Sequence, residues 1–117
     1  MSAPFIIPPA ERERLLANGR LSAAGEDLDP LPVVKLFTPD ANATWLLTEL
    51  DPVEPDLAFG LCDLGLGSPE LGYVSLTELA SIRGRFGLPI ERDAHFRPVR
   101  PLSAYAAEAR AHGRIIA

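Results

Sequence analysis

The chain has 117 residues, of which 47% are hydrophobic and 23% are charged, and its formal net charge is −5 at pH 7. This length and composition predict one domain, residues 1–117, with one core, and they differ from those of disordered, fibrous and membrane-spanning proteins. The negative charge disfavours binding to nucleic acid by the whole surface, because neutralising phosphates needs a clustered positive face.

Cys62 is the only cysteine, so one chain forms neither an internal disulfide nor a thiolate metal cluster. This cysteine usage fits the reducing cytoplasm. The first nine residues lack a basic lead and are interrupted by prolines, so we do not expect a signal peptide there. No apolar run approaches the length of a membrane span, and the sequence predicts a cytoplasmic protein.

A short helix is expected at residues 10–18, because Pro8 and Pro9 suit a helix start and Gly19 suits a left-handed cap. Segments rich in β-branched, aromatic and large apolar residues then alternate with turn sequences. These segments predict strands at residues 33–38, 44–50, 57–64 and 72–74.

The second predicted strand is apolar on both faces. In a regular strand Trp45 and Leu47 would lie on one face, and Leu46 and Leu50 on the other. The third strand is also apolar on both faces, so the sequence predicts a sheet that is covered on two sides.

The covering elements are predicted to be helices. Ser75 and Glu78 have the spacing of a capping box, and Gly84 is expected to end the helix that they start. A further strand is expected within residues 88–96, and a last helix from Ser103 to Gly113. These elements predict an α+β fold, with a mainly antiparallel meander sheet of four or five strands packed by two or three helices.

Charge is sorted along the chain. Residues 36–82 carry eight acids and no Lys or Arg, whereas residues 83–114 carry seven Arg and three acids. Most of the acids fall near predicted strand ends, where they are expected to line one rim of the sheet: Glu49, Asp51, Glu54, Asp56, Asp63 and Glu70.

Three interpretations of the acidic rim remain open. The rim binds a basic protein, or it coordinates a hard cation such as Mg²⁺ or Ca²⁺, or it pairs with arginines of the same chain. The intrachain candidates are Arg92, Arg97, Arg100 and Arg110. Self-association of the acidic face with the arginine-rich face of another copy is a further outcome, and nucleic-acid binding by the arginines is the least favoured one.

Glu91, Asp93 and His95 alternate, so in an extended strand all three side chains share one face. Two carboxylates and an imidazole suit a metal-assisted hydrolase or nuclease-like enzyme. The competing interpretation is the solvated face of an edge strand. Cys62, Asp63 and His95 resemble the nucleophile, orienting acid and base of a Cys-dependent hydrolase only weakly, because a small cysteine in an apolar strand is usually a core residue. The glycine-rich turn at residues 65–70 does not match a nucleotide-binding loop, since Pro69 would break the required helix.

Four blocks of the sequence resemble the bacterial family catalogued as domain of unknown function 2958. The blocks are WLLTELDP at residues 45–52, FGLCDLG at 59–65, ELGYVSL at 70–76 and GLPIERD at 87–93. The resemblance covers about residues 15–115 and implies a small cytoplasmic protein that is often encoded on plasmids and other mobile elements. It implies no activity and no catalytic residue.

The leading hypothesis is therefore a non-enzymatic protein-binding or accessory module without a cofactor. Its predicted contact residues combine the acidic rim with two aromatic side chains: Trp45, Glu49, Asp51, Glu54, Asp63 and Tyr73. The alternative is the metal-assisted enzyme that uses Glu91, Asp93 and His95.

Overall fold

The computed structural model describes residue 5 and residues 7–117, and within them five antiparallel strands and three helices form an α+β fold. In chain order the elements are α1 (Pro9–Ala23), β1 (Val34–Phe37), β2 (Thr44–Leu50), β3 (Leu57–Asp63), β4 (Glu70–Ser75), α2 (Leu76–Ser81), β5 (Glu91–Arg92) and α3 (Leu102–His112). The strand order is β4-β3-β2-β1-β5, so the first four strands form a meander and β5 joins the free side of β1. The predicted fold class is confirmed, and the predicted meander order holds for β1 to β4 but not for β5.

The sheet buries apolar side chains on both faces, as the sequence predicts. On the first face, Trp45 and Leu47 pack in a cluster with Leu15 of α1 and Leu79 of α2. On the second face, Leu46 packs with residues of β3 and α3. Helices therefore cover the two sides of the sheet, and burial of these large apolar side chains stabilises the fold by about 1.5–3 kcal/mol each.

Leu50 lies on the first face, with Trp45 and Leu47, so its predicted position on the second face is wrong. The cause is an irregularity in the β2–β3 pairing, where the register shifts between Leu47 and Glu49. An extra residue in one strand moves every later side chain to the opposite face. The extra residue is Thr48, whose hydroxyl donates to the carbonyl oxygen of Phe59 at 3.3 Å.

Helix α1 continues beyond its predicted end, because Gly19 does not act as a cap. A Cβ atom at Gly19 would lie 1.8 Å from the carbonyl oxygen of Leu50, so glycine here allows the helix to pack closely on β2. The helix ends at Ala23, and Gly25 with φ of 89° follows.

Helix α2 begins at its predicted cap, where the Ser75 side chain accepts a hydrogen bond from the Glu78 amide at 3.1 Å. Helix α3 begins at Leu102, one residue before the predicted Ser103, and ends at the predicted cap Gly113, which has φ of 72°. Helix α2 is shorter than expected, because it ends at Ser81, before Gly84. Within the residues that the structure describes, no helix has both the length and the apolar character of a membrane span.

Candidate functional site

The acidic residues lie at two ends of the sheet, so the expected single rim is wrong. The β2–β3 register pairs Thr44 with Asp63 at one end and Leu50 with Ala58 at the other. Asp51 follows β2 directly, so it lies at the opposite end from Asp63. A strand rises about 3.3 Å per residue, which places these two ends roughly 20 Å apart.

Asp51 and Asp63 hold backbone turns in place. One carboxylate oxygen of Asp51 accepts hydrogen bonds from the amides of Val53 and Glu54 at 2.9 and 3.0 Å. Asp63 is buried, and its two oxygens accept from the amides of Gly65 at 2.8 Å and Ile115 at 2.9 Å. Since aspartate beside glycine or proline commonly closes turns, both residues have a structural role that explains their position.

Asp56 links the β2–β3 connection to the start of α2. Its carboxylate accepts from the Ser75 hydroxyl at 2.6 Å and from both the amide and the hydroxyl of Thr77, at 2.9 and 2.7 Å. These hydrogen bonds lower the pKa of Asp56 below its ordinary value, and the bond from Ser75 has the largest effect. Asp40 accepts from the amides of Phe86 and Leu88 in the same way.

The glutamates of the acidic segment differ from its aspartates. Glu54, Glu70 and Glu78 are exposed, and their carboxylates make no hydrogen bond or ion pair with another residue in the described part of the chain. Glu49 is half-buried, and this burial raises its pKa. A hydrogen bond from the Ser22 side chain lowers the pKa by a smaller amount. The exposed carboxylates of this segment that lack a hydrogen-bond partner among the described residues are therefore those of glutamates.

Intrachain pairing does not neutralise this charge. Among residue 5 and residues 7–117, the three ion pairs join Lys35 to Asp93, Arg92 to Glu11, and Arg100 to Glu108. None of these pairs uses a carboxylate from residues 36–82. The interpretation in which the acidic segment pairs with the C-terminal arginines is therefore wrong for the described residues.

The two predicted aromatic contact residues have different environments. Trp45 is 1% exposed and belongs to the core of the first face, whereas Tyr73 is 63% exposed on the edge strand β4. The Tyr73 ring contacts Phe59 edge-on, with 5.0 Å between the ring centroids. Of these two residues, only Tyr73 presents an aromatic surface to a partner.

The strand that was expected to align Glu91, Asp93 and His95 ends at Arg92. Asp93 begins a turn, in which one carboxylate oxygen accepts from the His95 amide at 2.9 Å and the other lies 3.6 Å from Lys35 Nζ. No group of three or more metal-ligating side chains occurs among the residues that the structure describes. The alternation therefore does not place the three side chains on one strand face, and a catalytic role for them stays a prediction.

Two concave regions flank the central strands. Polar residues, including Lys35, Thr44, Asp63 and Asp93, line a cavity of about 650 Å³ at one end of the sheet. Lys35 Nζ is already engaged there, since it donates to the carbonyl oxygen of Ala117 at 2.8 Å and pairs with Asp93. The charged groups at the border of this cavity therefore already have hydrogen-bond or ion-pair partners within the chain.

The second region is an apolar depression of about 440 Å³ beside β4. Trp45, Cys62 and Gly72 line it on the first face of the sheet, and Leu64 and Leu66 lie at its border. Burial, with a smaller contribution from Glu70, raises the pKa of Cys62 to about 11, so its thiol is not a nucleophile at neutral pH. Gly72, Leu64 and Leu66 were not among the predicted site residues, although a glycine within a strand is itself a signal of close approach by another group.

The comparisons with known proteins agree with the resemblance in the sequence blocks. A family model described as "Protein of unknown function (DUF2958)" matches residues 6–116. Neither the curated proteins nor the solved structures contain a significant match to this chain. The match covers nearly the whole chain, and the chain therefore belongs to the DUF2958 family.

Proposed function

We propose that the chain is a non-enzymatic module that binds a basic protein through the half of its sheet formed by β2, β3 and β4, with α2. The observation that carries the proposal is the spatial separation of charge. Because the meander keeps neighbouring strands adjacent, β2, β3 and β4 form one half of the sheet, and neither these strands nor α2 contain Lys or Arg. Complementary charge steers a basic partner to such a side and restricts its choice of partners.

The basic residues of the sheet itself lie on its other half, with Lys35 on β1 and Arg92 on β5. Three further arginines lie on α1, the helix that packs against β2 on the first face. On the acidic side, Glu54, Glu70 and Glu78 are exposed and lack an intrachain partner among the described residues, so they carry the proposed electrostatic contact. Tyr73 supplies the adjacent aromatic contact, and aromatic residues are enriched where proteins bind one another.

Two of the contact residues predicted from the sequence are not accessible to a partner. Trp45 is inside the core, and Asp63 is 3% exposed with both oxygens occupied by amides. Asp51 stays near the contact as the residue that orders the loop carrying Glu54. The proposal keeps the bacterial, cytoplasmic and mobile-element setting that the family resemblance implies.

The test compares two triple charge reversals of equal net change. The first variant, Glu54→Lys, Glu70→Lys and Glu78→Lys, alters the acidic side. The control variant, Glu13→Lys, Asp27→Lys and Glu91→Lys, alters exposed acids outside it. We expect a nuclease-resistant protein captured from host lysate by the wild type to be lost with the first variant and retained with the control.

Equal recovery with all three proteins would contradict the proposal, because binding would then not depend on the acidic side. Recovery that disappears after nuclease treatment would instead indicate nucleic acid and would also contradict it. The partner is expected to dissociate more readily as salt concentration rises, since the exposed charges are screened.

A further inference from the structure

The two edges of the sheet differ in how they are protected. β5 has two residues, both charged, and Pro89 lies shortly before it. β4 has six residues, pairs with β3 on one side only, and contains no Pro, Lys or Arg. Soluble proteins usually shorten, charge or cover their edge strands, because a free edge pairs readily with another chain. In the described residues β4 has none of these features except Glu70 at its start.

Apolar side chains collect beside this free edge. Leu71 and Tyr73 of β4 are 40% and 63% exposed, and Leu64 and Leu66 in the preceding turn are 61% and 82% exposed. Single exposed apolar residues are ordinary, but a group of them next to unpaired backbone marks an interaction surface. The edge therefore combines backbone hydrogen-bonding capacity with apolar area.

Gly72 in the middle of β4 has no structural explanation within the chain. Its φ is not positive, and a Cβ atom there would meet nothing within 4 Å. Glycine inside a strand costs about 0.5–1 kcal/mol relative to alanine, and it often marks a place where another molecule approaches closely. The missing side chain leaves open the depression of about 440 Å³ that Trp45 and Cys62 line.

We propose that an extended segment of the partner adds a strand along β4, with one large apolar side chain in the depression over Gly72 and basic residues on both sides of it. Backbone pairing with alternate side chains in pockets is an established mode of peptide recognition. The negative charge of this edge favours a segment with basic residues, because Glu70 is the first residue of β4 and Glu78 lies in α2, the helix that follows β4. This inference rests on the proposed function and adds the conformation and chemistry of the bound segment.

A second copy of the chain fits the edge less well. Two β4 strands paired about a twofold axis would bring together two regions that contain acids and no basic residue. Like charges across an interface cost free energy, whereas a lysine- or arginine-flanked segment gains it. Pairing of β4 with itself is therefore an outcome that the test distinguishes.

The experiment pans the wild-type chain against a displayed library of random short peptides. We expect enriched peptides with an apolar centre and basic flanks. Bound peptide should slow hydrogen exchange at the backbone amides of β4. Gly72→Val should weaken peptide binding by about tenfold or more, because the new side chain occupies the part of the depression above position 72 where the peptide side chain would lie. This variant is expected to fold, because a Cβ atom at position 72 meets no atom within 4 Å. Ala107→Val, at an exposed position of α3, serves as the matched control.

Several results would overturn the inference. These are the absence of enriched peptides, enriched peptides without basic flanks, binding that leaves the β4 amides unprotected, and equal affinity for wild type and Gly72→Val. A wild-type dimer in sedimentation that Gly72→Val dissociates would assign the edge to a second copy. The proposed function would survive any of these results if partner capture still depended on Glu54, Glu70 and Glu78, so the two failures are distinguishable.

Discussion

Two glycines that face each other in β3 and β4 are expected to respond oppositely to the same substitution. Gly60 and Gly72 are register partners, and we consider alanine at each. At Gly60 the added Cβ would lie 1.9 Å from the carbonyl oxygen of Leu46 and 2.8 Å from Cα of Leu47. Both atoms belong to the backbone of the central strand β2, next to its bulge, so a rotamer change cannot relieve the contact.

The expected cost of Gly60→Ala is therefore at the upper end for overpacking, about 3 kcal/mol or more. Gly72→Ala meets no atom within 4 Å, so it should stabilise the fold by about 0.4–1 kcal/mol through the lower entropy of the unfolded chain. A domain of this size is stable by about 5–15 kcal/mol, so both variants should remain folded at room temperature.

Urea unfolding followed by the fluorescence of Trp45, which is the only tryptophan and is buried, measures both effects. With a slope of about 1–3 kcal/mol per molar urea, Gly60→Ala should lower the midpoint by at least about 1 M. A Gly60→Ala variant within about 0.5 kcal/mol of wild type would refute the reasoning. A clear loss of stability in Gly72→Ala would refute it too, and would mean that β4 has a contact that its open Cβ position does not show.

Three further predictions concern single side chains. Asp63→Ala should lower the free energy of unfolding by about 2–4 kcal/mol, because two amides lose their acceptor, and urea unfolding checks this. Iodoacetamide at pH 8 should modify Cys62 about a hundredfold more slowly in the folded than in the urea-unfolded chain. The reason is that folding raises the thiol pKa from 9.0 to about 11 and so lowers the fraction of reactive thiolate. Equal rates would contradict that pKa. Because burial raises the pKa of Glu49, the folded state binds its proton more tightly, so this residue lowers stability as pH rises through and above its ordinary value of 4.5. Glu49→Gln should remove that decrease in a series of unfolding curves across pH, and an unchanged slope would contradict it.

Features that depend on a few neighbouring residues were predictable. The bounds of β2, the Ser75 cap and the Gly113 cap follow from local side-chain pattern, capping and backbone preference, and the structure confirms all three. Leu50 shows where this reasoning stops. Strand alternation assigns it to the wrong face, since the bulge at Thr48 exists only in the pairing of β2 with β3.

The site was predictable only in part, for the same reason. The acidic segment and Tyr73 were visible in the sequence, but aspartate and glutamate look alike there. Asp63 binds an amide 52 residues away, at Ile115, so its structural role depends on a contact between distant segments. Gly72 and Gly60 likewise look equivalent in the sequence, although backbone surrounds one and open space surrounds the other.

The sequence by itself determined the fold class and the order of charge along the chain, because local patterns specify strands and short connections keep neighbouring strands adjacent. A meander transfers that order into space, and one half of the sheet lacks basic residues as a result. Only the tertiary structure decided which carboxylates close turns, which strand edge stays free and where a depression opens. Those properties arise from contacts between residues far apart in the chain, and such contacts exist only once the sheet has formed.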